Sequence, residues 1–155
     1  MENCIYKRTY NYNGCIYGVP QPIAVKIELN ILVFVVEMNN ETNQIEGIGL
    51  IKNQIGFDKY YKIYNSGDYN RYIYKSPYHI DRELILTYNK FLVEILDYIL
   101  FKEKTHLKRG IGFTTVPEKL LNHTKCKNID IKKEIKNIFI QQFKEVTIDS
   151  NPLLI

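Results

Sequence analysis

Tryptophan is missing from the chain and alanine occurs once, at Ala24, while isoleucine, asparagine, lysine and tyrosine are all used heavily. AT-rich coding alone gives such usage, so the tyrosine and asparagine excess has a compositional explanation beside any functional one. The three cysteines, Cys4, Cys15 and Cys126, are an odd number without a Cys-x-x-Cys pair, which argues against a disulfide framework and points to a reducing, intracellular compartment. His123 and Cys126 stand three apart, but no second pair at zinc-ligand spacing accompanies them, so no metal and no other cofactor is expected. No apolar stretch reaches the ~20 residues of a membrane-spanning helix, and MENCIYKRTY has no apolar signal-peptide core. No Gly-rich fingerprint joins a strand to a helix, which disfavours a Rossmann or P-loop domain. Neither a repeat nor a flexible linker divides the chain. Its 155 residues suit a single domain (1–155) that buries roughly 70% of its unfolded surface.

What is present is a change of hydrophobic period along the chain. Residues 14–20 read as a short extended segment, closed by a turn at Pro20 and Pro22. The run ILVFVVEM at 31–38 is nearly all apolar, the pattern of a strand covered on both faces. Polar turn residues at 39–43 lead into 45–51, which completes a β-hairpin. Gly47 and Gly49 in that second strand mark a bulge or a close approach, with packing against a neighbouring element favoured over approach of a ligand. A second hairpin is expected from 60–64 and 71–75 across Asn65, Ser66, Gly67 and Asp68. From Asp81 onward apolar residues recur at steps of three and four, predicting a long helix over 82–101. Thr115-Val116-Pro117-Glu118 matches a capping box for a short helix, and Ile131, Ile135, Ile138, Phe139 and Phe143 predict a C-terminal amphipathic helix. Strands first and helices second give an α+β fold with a mixed or mainly antiparallel sheet.

Eight of the thirteen tyrosines fall within 57–88, among Lys59, Lys62, Arg71, Lys75 and Arg82. Aromatic faces stack on bases and cations hold phosphates, so Tyr72 and Tyr74 are the expected stacking residues, with Arg71 and Lys75 on the backbone. A second basic cluster, with Lys104, His106, Lys108 and Arg109 beside Gly110 and Gly112, is the expected phosphate-contacting edge. The net charge of +4 is modest, compatible with a local basic face. No nucleophile–base pair or paired carboxylate signature occurs, so no catalytic residue and no enzyme activity is expected. Glu37 follows six apolar residues and is either partly buried or at the strand mouth in water, the second being favoured. A nuclease or base-modifying reading would need Glu37 beside His79 or His106.

The stretch ILVFVVEMNNETNQIEGIGLIKN resembles the central hairpin of PUA-like domains, among which YTH and EVE domains carry an apolar strand leading into a glycine-bearing one. The resemblance spans 31–53 and implies a PUA-like sheet or barrel and binding of RNA or modified bases. YTH domains build their methyl-adenine cage from tryptophans, and this chain has none, so no reader residue carries over. The whole chain also resembles a family of uncharacterised proteins from large nucleocytoplasmic DNA viruses, in CIYGVPQPI, VVEMNNETNQIEGIGLIKN, YNRYIYKSPYHIDRE and YILFKEKTHLKRGIGFTTVP. That implies a viral source, in host cytoplasm, virus factory or virion. The expectation is a non-catalytic domain binding RNA or another single-stranded or modified nucleic acid, in preference to duplex DNA. The alternative is a virion or assembly protein that packs the same surface against a viral protein partner, since tyrosine and arginine are also enriched at protein interfaces.

Overall fold

The computed structural model describes residues 13–108, 111–148 and 152–155. Among these residues the α+β architecture has six strands: β1 (Cys15–Val19), β2 (Leu32–Asn39), β3 (Gln44–Lys52), β4 (Tyr72–Ser76), β5 (His79–Asp81) and β6 (Leu153–Leu154). The helices are α1 (Arg82–Tyr88), α2 (Lys90–Phe101), α3 (Glu118–Leu121) and α4 (Ile131–Gln142). Strands in the order β5-β3-β2-β6 form one sheet, antiparallel except for the parallel β2–β6 pair, and β1 pairs with β4 in a separate antiparallel ribbon. Among the described residues the strands form these two sheets and no closed barrel. No helix of the described residues is long and apolar enough to cross a membrane.

Alternation along β2 explains the layering. Phe34 and Val36 face a large core with Leu92, Leu96 and Phe139 of the helices, while Val33 and Val35 face a second core with Tyr17, Val19 and Tyr74 of the ribbon. The strand is therefore buried on both sides, as its unbroken apolar run requires. The ribbon's outer side packs Ile16 and Ile73 against Tyr61 and Ile63.

The β2–β3 hairpin forms as expected, with one irregularity. Glu37 pairs with Gly47 but Met38 pairs with Ile45, so Glu46 is an extra residue on β3. Bulges of this kind bend a strand and re-aim its neighbours. Two helical side chains hold this one: the Asp97 carboxylate accepts from Ile45 N at 2.8 Å, and Arg82 Nη1 donates to Ile45 O at 2.9 Å. Arg82 Nη2 and Asp97 Oδ2, 2.8 Å apart, close the clamp.

Two expectations need correction. The helix over 82–101 is two helices, because Asn89 is extended (φ −156°, ψ 92°) and its side chain accepts from Leu92 N, so it ends α1 and caps α2. A short amide that satisfies a free N–H competes directly with helix continuation. The hairpin of 60–64 with 71–75 does not form; β4 pairs instead with β1, Tyr74 opposite Tyr17. Asn70 is the reason. Its buried side chain accepts from Ile63 N and Tyr64 N and donates to Tyr64 O and Ser66 O, which closes 63–70 into a compact loop.

Candidate functional site

The face between the two sheets carries a cluster of polar side chains. On β2 it presents Glu37, on β1 Cys15 and Tyr17, and on β5 His79, which pairs with Gly49 of β3. Tyr17 donates its hydroxyl proton to Glu37 Oε1 at 2.8 Å, and His79 Nε2 lies 3.0 Å from the same oxygen. The Cys15 thiol donates to the Tyr78 carbonyl at 3.6 Å. Glu37 is only 8% exposed, so the expectation that it stands in water is corrected: β1 covers it. A carboxylate this dry is tolerable only when hydrogen-bonded and paired.

The glycines of β3 make room for these groups. A Cβ at Gly49 would lie 2.2 Å from the Tyr17 hydroxyl and 2.8 Å from Cys15 Sγ. One at Gly47 would lie 2.8 Å from His79 Nε2 and 3.1 Å from Glu37 Oε2. Burial is the main cause that holds Tyr17 well above its ordinary pKa, the Glu37 charge adding to it, so the hydroxyl keeps its proton. Burial pushes the Cys15 thiol up to about 12, only partly offset by the neighbouring Tyr17 side chain, which leaves it protonated and unreactive.

Glu37 and Tyr17 also form part of the wall of a cleft with a cavity volume of about 110 Å³. Its other walls include Tyr64, Phe113, Leu107 and Val35, with Asn40 and Thr114 as neutral polar groups. Phe113 is held edge-on by Tyr17 (5.9 Å) and Tyr74 (5.3 Å), so the aromatic wall is fixed by packing. Both contacts to Glu37 fall on Oε1, and Oε2 carries neither. The arrangement can accept a hydrogen bond from a flat ligand inside a mostly apolar recess. No group of three or more His, Cys, Asp or Glu among the described residues is placed to hold a metal ion.

Comparison with family models, with curated proteins and with solved structures finds no match to this chain.

The expected site residues divide into two groups. Tyr74 is 1% exposed, its hydroxyl accepting from Ile23 N at 3.0 Å, so it cannot stack on a base; it supports Phe113 instead. Tyr72 is half-buried against the same core. Arg71 is exposed and 3.4 Å from the Asp68 carboxylate. Lys75 donates to Asp58 at 2.7 Å and to the Tyr61 hydroxyl at 3.0 Å, so its charge is already matched. The second group adjoins the cleft. Leu107 is in the cleft wall, and the Lys108 carbonyl accepts from Asn40 Nδ2 at 3.1 Å. Lys104 is exposed, His106 and Lys108 are half-buried, and Arg109 lies outside the described residues. His106 Nδ1 is buried without a hydrogen-bond partner among the described residues.

The Lys75 contact has a measurable consequence. The Lys75 ammonium first, and the Tyr61 hydroxyl second, lower the Asp58 carboxyl from 3.8 to about 2. A depressed carboxyl stabilises the fold above its unfolded pKa, and that contribution fades as pH falls through the folded value. A pH titration of the carboxyl signals by NMR should therefore place Asp58 near 2, and Lys75→Ala should return it toward 3.8. An Asp58 that titrates normally in the intact chain would rule out this contact in solution.

Sequence reasoning missed Tyr17, Cys15 and Phe113. A period of two in CIYGV places Cys15, Tyr17 and Val19 on one face, which was a usable signal, but nothing in the sequence says that this face lies against Glu37.

Proposed function

We propose that this chain binds nucleic acid, seating one unpaired base in the cleft while the adjoining basic segment holds the strand's phosphates. The observation that carries this reading is a buried carboxylate, Glu37, in the wall of an aromatic-lined recess that also includes Leu107, the neighbour of Lys108 in the basic segment. Unpaired RNA or DNA suits a recess better than duplex, because a base must leave its stack to enter. The resemblance of the β2–β3 hairpin to PUA-like domains adds support by fold analogy alone.

Fluorescence anisotropy with labelled single strands and duplexes tests the reading. Single strands should bind more tightly than duplex, with log affinity falling against log salt at about 0.7 per phosphate neutralised. Changing Lys104 and Lys108 together to alanine should lower that slope by about 1.4. Binding indifferent to salt, or equal for single strand and duplex, would overturn it.

A second reading rests on the 3.0 Å Glu37–His79 contact, since a carboxylate that orients an imidazole is a recurrent acid–base arrangement. It is the weaker one. The His79 side chain is 4% exposed and takes no part in the cleft wall, so only Glu37 and Tyr17 could meet a substrate. Chemical change of a nucleoside incubated with the protein, lost in His79→Gln, would favour it over simple binding.

A further inference from the structure

Resting on the base-binding reading, we propose that the cleft selects a 4-aminopyrimidine, cytosine in an ordinary strand, with Glu37 Oε2 accepting a hydrogen bond from the exocyclic amine.

Size sets the first limit. A cavity of about 150 Å³ is known to take a benzene ring, so the open recess of about 110 Å³ admits no more than the edge of one six-membered ring. The two fused rings of a purine exceed it. The aromatic wall at Phe113 suits such a ring in either stacked or edge-on contact.

The acceptor then separates the pyrimidines. Glu37 Oε1 already takes the Tyr17 hydroxyl and lies beside His79 Nε2, which leaves Oε2 for a ligand. A carboxylate oxygen can only accept, and acidic side chains accordingly pair with cytosine N4. Cytosine offers its amine at the ring edge, so N4 can approach without bringing a carbonyl oxygen along. Uracil has only N3–H to offer, flanked by O2 and O4, and both oxygens would face the buried carboxylate. Tyr17 cannot relieve that repulsion, because its proton is committed to Glu37. The Thr114 hydroxyl in the same wall is a neutral donor for the remaining ring acceptors.

The test compares three single-stranded pentaribonucleotides by anisotropy competition at pH 7.5: pentauridylate, the same strand with one central cytidine, and the same strand with central N4,N4-dimethylcytidine, which has no amine proton. The strand with cytidine should bind about tenfold more tightly than either of the others, the scale of one base-edge contact. Glu37→Gln, whose amide both donates and accepts, should bring the cytidine and uridine strands within about twofold of each other. Equal affinity of the wild-type protein for all three strands overturns cytosine selection and leaves base binding standing. Failure of every strand to bind overturns the base-binding reading itself. The dimethylated strand keeps the test decisive should Glu37→Gln not fold.

Discussion

Replacing Glu37 with alanine should destabilise the protein by about 2–5 kcal/mol, the cost of leaving two buried polar partners unsatisfied. The loss comes less from the missing side chain than from what stays behind. Tyr17 would be left with a hydroxyl proton and no acceptor between two sheets, and His79 with no carboxylate at 3.0 Å. Tyr17→Phe removes one donor and should cost only about 1–2 kcal/mol. Because both changes break the same hydrogen bond, the double variant should be less destabilised than the sum of the two. Urea unfolding at constant slope provides the measurement. A cost below about 1 kcal/mol for Glu37→Ala would mean that the carboxylate is not buried as described.

Gly49→Ala should be nearly as damaging, at about 3 kcal/mol, although it adds only one methyl group. A Cβ there would meet the Tyr17 hydroxyl at 2.2 Å and Cys15 Sγ at 2.8 Å. Either β1 moves away from β3 or Tyr17 loses its bond to Glu37. Backbone strain is not the cause, since Gly49 lies in regular pairing with Val35 and His79. Combining Gly49→Ala with Tyr17→Phe takes away the nearest clashing atom, so the pair should recover about 1 kcal/mol relative to simple addition. Alanine tolerated at Gly49 with an unchanged urea midpoint would show that the ribbon does not sit on β3 at this distance. Gly67, with nothing within 4 Å of an added Cβ, is the natural control.

Local pattern made the β2–β3 hairpin legible: an apolar run, a polar turn and a glycine-bearing return strand are contiguous in sequence. The same holds for α4, whose apolar stripe and Asp130 cap lie within one short segment. Partners distant in sequence were not legible. Residues 60–64 and 15–19 have comparable claims to pair with β4, and the choice falls to Asn70, a single buried amide that ties up the nearer segment. The split at Asn89 was hidden because apolar residues continue at helical spacing on both sides of it. Glu37 was recognised as notable but expected in solvent, since the strand that covers it begins some twenty positions earlier. Tyr74 and Tyr72 shared a face in the expected hairpin, and pairing with β1 turned that face inward.

The Arg82–Asp97 clamp on Ile45 gives the helix layer a hold on the far side of the sheet. Ile45 and Gly47 flank the bulged residue Glu46, and Gly47 pairs with Glu37, so the ion pair between α1 and α2 holds the strand two residues from the partner of that carboxylate. The cleft and the helices are thereby linked through one irregular strand. A change to Arg82 or Asp97 on the helices therefore reaches the strand that carries Gly47, the cross-strand partner of Glu37.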